Sequence, residues 1–269
     1  MFSKSISELP VLPEVSVSIY NRIAQFVTAY IASFHKKDDS VFNRHVELKQ
    51  THIENVCNEI RGIGVSLGMN SNQLTFPGII AWLHDIGRFE QFARYRTFSD
   101  AESENHSEIA LRIIEKNNLL KDLTPDKQQI ILRTILNHNQ PVIPDNEPLL
   151  IDFYSRMLRD VDKLDIWKIV VETNVFHSIL TEPLPDSYEV PDKILERFEQ
   201  NRIVTIDMVN SFYDIVLFRL SWVFDINFSH SLKSACEKKV FDKLLAKLPA
   251  SEKLDKIVQI IDRYIRSVN

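Results

Sequence analysis

Cysteine is nearly absent from this chain of 269 residues: only Cys57 and Cys236 occur, far apart and in no CxxC spacing. That excludes a disulfide framework and a thiolate zinc site, and it fits a reducing compartment. Glycine is equally scarce, and all five glycines (Gly62, Gly64, Gly68, Gly78, Gly87) fall within 26 consecutive positions. Together with the clustered prolines, that pattern points to helices almost throughout. No apolar run approaches the length that spans a bilayer, and the opening stretch MFSKSISELPVLPEV has no signal-peptide core, so a cytoplasmic protein is expected. An excess of positive charge is also missing. The formal net charge of -5 offers no general attraction to a nucleic-acid backbone or an anionic membrane, which leaves a small molecule as the expected partner.

What remains is ordinary globular composition, 44% hydrophobic and 26% charged, in a chain long enough to bury a sizeable core. Prolines at Pro10/Pro13, Pro77, Pro125, Pro141/Pro144/Pro148, Pro183/Pro185/Pro191 and Pro249 divide otherwise uninterrupted helix-forming sequence, so an all-α fold is predicted, with breaks at these positions. Thr124-Pro125 reads as a helix start. Near the end, Leu254, Ile257, Val258, Ile261, Tyr264 and Ile265 recur at three-and-four spacing, the mark of one buried helical face. No strand-type alternation and no internal repeat compete with this reading. Residues Thr181 to Pro191 are the expected joint between a core and a C-terminal helical layer.

Chemistry is concentrated at a few of the eight histidines. In Ile80-Ala81-Trp82-Leu83-His84-Asp85-Ile86-Gly87 a polar pair closes an apolar run that should be buried. Burying an imidazole and a carboxylate without partners costs several kcal/mol, about 2–7 for a neutral polar group and more for a charge, so something must compensate them. A metal ion would do so. The dipeptide alone decides nothing; its surroundings do. Upstream, His52 lies on a helix-forming stretch (KQTHIENV); downstream, Arg159-Asp160-Val161-Asp162-Lys163-Leu164-Asp165 crowds three acids and two bases into about two turns. Asp160 and Asp165 are expected at the surface or in supporting positions. His35 and His45, beside Lys36-Lys37-Asp38-Asp39, are expected in solvent, and His177 and His230 have no motif around them.

Taken together, these residues resemble the HD-domain superfamily of metal-dependent phosphohydrolases. Its signature is a histidine, a His-Asp pair and a distant aspartate, places filled here by His52, His84-Asp85 and Asp162. His106 and His138 match the two histidines that binuclear members insert, giving the order H, HD, H, H, D. The resemblance covers about residues 40 to 180 and implies an HD-type helical bundle extended by a helical layer over about 191 to 269, the whole forming a single all-α unit. It further implies a first ion held by His52, His84, Asp85 and Asp162, and a second, bridged by Asp85, held by His106 and His138. Imidazole and carboxylate ligands suit Mn, Fe, Zn or Mg, one or two divalent ions per chain. Such ions activate water for attack on a small, nucleotide-like phosphate ester, and Asp85, Arg88 and Lys163 are the expected catalytic and phosphate-orienting residues. Arg94 and Arg96 are equally divided between that role and a solvated basic loop. Asn139 stands where some binuclear relatives carry a further histidine, and the GYP signature of the cyclic dinucleotide phosphodiesterases is missing. Two alternatives stay open: a di-iron oxygenase, because myo-inositol oxygenase shares this fold and ligand order, and a non-catalytic metal-containing binding module.

Overall fold

The computed structural model describes residues 8–172 and 187–268, and every regular element among them is helical. The chain divides into two compact units, one running up to Val161 and the other beginning at Asp162. The first contains α1 (Val17–Ala32), α2 (Ser40–Ser66), α3 (Ser71–Leu83), α4 (Gly87–Tyr95), α5 (His106–Lys116) and α6 (Pro125–His138). A long helix, α7 (Leu149–Glu172), carries the boundary within it. The second unit continues with α8 (Asp192–Glu199), α9 (Phe212–Ser221), α10 (Ser229–Glu237), α11 (Val240–Leu245) and α12 (Glu252–Val268). Of the expected joint, residues 181–186 lie outside the described residues, as does His177; residues 187–191 are irregular and lead into α8.

Helix starts in the first unit follow from local chemistry. The Asp39 side chain accepts from the Phe42 amide to open α2. Asn70 and Gln73 cap each other reciprocally at α3, and the Asn105 side chain accepts from the Ser107 amide at α5. These contacts satisfy amides that have no partner within the helix. Pro125 is the first residue of α6, as the sequence predicts, although the Thr124 side chain makes no capping bond.

Pro77 departs from expectation: it sits inside α3 rather than ending a helix. Its ring removes one backbone hydrogen bond, at about 3 kcal/mol in an isolated helix. Leu74 through Ala81 are all buried, so tertiary packing on every side of α3 outweighs that local cost. The apolar run read from the sequence is therefore a central helix. Around it the first unit buries Phe42, Ile53, Phe76, Leu83, Phe89, Ile109, Ile135, Tyr154 and Leu158.

The second unit has its own core, with Trp167, Phe198, Val216, Leu220, Val223, Ile257 and Ile261 at its centre. The periodic face of α12 behaves as read: Leu254, Ile257 and Ile261 are buried and Val258, Tyr264 and Ile265 half-buried. Among the described residues, no helix is long and apolar enough to cross a membrane.

Candidate metal centre

The metal-type donors of the first unit come from helix ends. His84 caps the C-terminus of α3, His138 is the last residue of α6, and His106 is the first residue of α5; only His52 is internal, on α2. Position fixes ring orientation. His84 Nδ1 lies 2.7 Å from the Ala81 carbonyl, and His138 Nδ1 2.6 Å from the Ile135 carbonyl. Each ring thereby satisfies a carbonyl three residues back in its own helix. A carbonyl only accepts, so both Nδ1 atoms carry the proton and both Nε2 atoms present a lone pair. For His106 the acceptor is the Asp100 carboxylate, 2.8 and 2.9 Å from Nδ1, with the same consequence.

The lone pairs converge. His106 Nε2 and His138 Nε2 are 3.1 Å apart, and Asp85 Oδ1 lies 3.3 Å from the first and 3.9 Å from the second. On the other side of the same carboxylate, Asp85 Oδ2 lies 3.5 Å from His52 Nε2 and 3.9 Å from His84 Nε2, which are themselves 3.4 Å apart. Two donors each about 2.1 Å from one ion stand about 3.0 Å apart at a right angle and about 3.4 Å apart at the tetrahedral angle. Most of these separations have the size of edges of a coordination polyhedron. Two His/His/Asp sets thus share one aspartate, one oxygen facing each set, and all five side chains are buried. Each set can hold a divalent ion. The donor chemistry fits: four imidazoles, three of them fixed in the ligating tautomer, a carboxylate, and no thiolate.

Charge around Asp85 supports the same conclusion. Burial alone pushes its carboxyl upward, yet it is held well below the usual carboxylate range, foremost by the Lys49 charge and also by that of Arg88. Lys49 Nζ is 2.8 Å from Oδ2 and Arg88 Nε 3.3 Å from Oδ1, so one cation flanks each half of the centre. His106 is driven down to about 4, chiefly by burial, partly opposed by its hydrogen bond to Asp100 and helped by the Arg88 charge. It is neutral at ordinary pH, the state that binds a metal.

The close approach that places His106 depends on Gly87. A Cβ there would fall 2.1 Å from the His106 carbonyl oxygen and 2.7 Å from the Ala110 nitrogen. Only glycine lets α4 meet the start of α5, which explains its place two residues after Asp85. The helix does not run unbroken from His84 to Arg88; a tight turn intervenes, with the Ile86 amide bonded to Leu83 and the Arg88 amide to Asp85. Arg88 still returns to the centre, and its Nη1 also donates to Gln91, the Phe98 carbonyl and Asp100.

Asp162 and Lys163 belong to the second unit: Asp162 exerts its charge on Arg219, and Lys163 Nζ is paired with Asp225. Arg94 and Arg96 are half exposed, paired with Glu90 and Glu104 and with Asp39 respectively. Asp160 and Asp165 are buried rather than at the surface. His35 is exposed as expected, whereas His45 is half-buried and stacks on Phe92 at 4.6 Å.

Two residues the sequence reading passed over prove central, Lys49 and Asp100. Lys49 precedes His52 by three positions, which places both on one helix face, a signal that was legible. Asp100 sits in a loop without periodicity, and nothing local points to it.

Comparison with models of protein families, with curated proteins and with solved structures found no match for the chain. The assignment of a metal centre therefore stands on geometry and donor chemistry.

Proposed function

We propose that the chain is a metal-dependent phosphohydrolase acting on a small phosphate ester. One observation carries the reading: three acceptor atoms, His106 Nε2, His138 Nε2 and Asp85 Oδ1, face one another within 3.9 Å in a buried place, and a cation relieves their mutual repulsion. Divalent ions bound by the two sets would supply charge neutralisation for a phosphoryl group and an activated water. The protein's own part is to hold Asp85 ionised between the sets, to keep the ligating rings in one tautomer, and to offer cationic donors to phosphate oxygens. Arg88 serves that last role, its guanidinium 3.3 Å from Asp85 and its side chain 16% exposed. The resemblance to the HD superfamily adds Asp162 as a further ligand and Lys163 as a second phosphate anchor, and these two roles rest on it alone. The nucleotide-like character of the ester rests on it as well.

The test is elemental analysis of protein purified without chelator, followed by a screen of phosphate esters against Mn, Fe, Zn and Mg. One or two ions per chain and metal-dependent phosphate release are expected. Protein that carries no metal and binds none on titration would overturn the centre; bound metal with no ester hydrolysed would overturn the phosphohydrolase.

A further inference from the structure

The Asp100 carboxylate gathers more donors than any ordinary loop residue needs. It accepts from His106 Nδ1 at 2.8 and 2.9 Å and from the His106 amide at 3.2 Å. Arg88 Nη1 donates to it at 3.1 Å, Gln91 Nε2 at 2.8 Å and Asn139 Nδ2 at 3.3 Å. Asp100 therefore ties together α4, the start of α5 and the residue that follows α6. Both helix ends concerned carry a ligand of the second donor set, His106 and His138. Asn139, standing where a further histidine is found in some binuclear relatives, turns its amide to Asp100 and to Asn105 Oδ1 at 3.0 Å.

From this convergence we infer that Asp100 is the positioning residue of the second ion: it fixes the His106 tautomer and orientation and thereby decides whether the His106/His138/Asp85 set loads. The reason is stereochemical. His106 Nε2 is a ligand atom only when Nδ1 holds the ring proton, and a carboxylate is the strongest neutral-pH acceptor available to keep it there. An amide in its place has one acceptor oxygen and turns N–H groups toward partners that are already donors. No similar aspartate is needed by His84 or His138, whose Nδ1 protons go to carbonyls of their own helices. Among these rings Asp100 holds His106, a ligand of the second set. The inference rests on the paired donor sets and is independent of the substrate.

The test compares wild type with Asp100→Asn and Asp100→Ala. In metal-free, ¹⁵N-histidine-labelled protein near pH 7.5, long-range ¹H–¹⁵N spectra report the tautomer of each ring. Wild-type His106 should be entirely Nδ1–H, and both variants should populate Nε2–H while His84 and His138 stay unchanged. Titration with Mn or Zn should show the second ion bound about 10–100-fold more weakly in the variants, with the first ion unaffected. An unchanged His106 tautomer together with wild-type affinity for the second ion would overturn the inference. Equal weakening of both ions with a lowered melting temperature would also overturn it, by making Asp100 a general support of the fold. Wild type that binds no ion would instead refute the donor sets themselves.

Discussion

Asp85→Asn is the substitution whose consequence can be worked furthest. It preserves size and removes one charge from a side chain only 3% exposed, leaving Lys49 at 2.8 Å and Arg88 at 3.3 Å facing a neutral amide. Removing one partner of a buried ion pair costs about 3–5 kcal/mol. Lys49 and Arg88 keep 18% and 16% of their side-chain exposure, so some hydration remains and the low end, about 3 kcal/mol, is the better figure. For a protein of this size each kcal/mol moves the midpoint by about 2–4 °C, so the melting temperature should fall by about 6–12 °C. The measurement is circular dichroism melting in excess chelator, where no ion contributes. Adding Lys49→Met to the same background should recover part of the loss, because the uncompensated ammonium goes with it. Metal content of the chelator-free protein should fall in parallel, since both donor sets lose their shared ligand. A variant melting within about 2 °C of wild type, with undiminished metal, would refute the claim that Asp85 is the electrostatic centre of the site.

His106→Ala and His138→Ala should lower metal stoichiometry by one ion while leaving helix content intact, and retention of the wild-type count in both would reduce the centre to one ion. Gly87→Ala should destabilise by about 3 kcal/mol or more in urea denaturation, because its Cβ would meet the backbone of α5; a neutral effect would show that α4 and α5 can separate freely. In chelator, stability should decline as pH falls from about 7 toward 4: the unfolded imidazole, near 6.5, takes a proton that His106, held at about 4, refuses. Its contribution is complete above the unfolded value and is lost through that window, and His106→Gln should flatten the profile between those limits. Finally, turnover with Mn should persist under strict anaerobiosis and release free phosphate, whereas a requirement for iron with oxygen consumed in proportion to product would move the chemistry to an oxygenase.

By itself the sequence determined the helical class, because scarce glycine, clustered proline and three-and-four apolar spacing are local signals that act through backbone propensity and helix faces. It pointed to His84, which closes an apolar helix-forming run, while His106 and His138 were picked out by the resemblance; that His84 and His138 end their helices is what lets each Nδ1 reach a carbonyl one turn back. Pro77 shows the limit of local reading, since only burial on all sides keeps α3 whole across it. The sharing of Asp85 between two sets was implied by resemblance, but its two oxygens facing opposite pairs of histidines is a property of how α2, α3, α5 and α6 pack. Lys49 was within reach of a helical-face argument. Asp100 was not, because a loop carboxylate acquires its role from donors that are distant in the chain or irregularly spaced, and hydrogen bonds of that kind leave no period in the sequence.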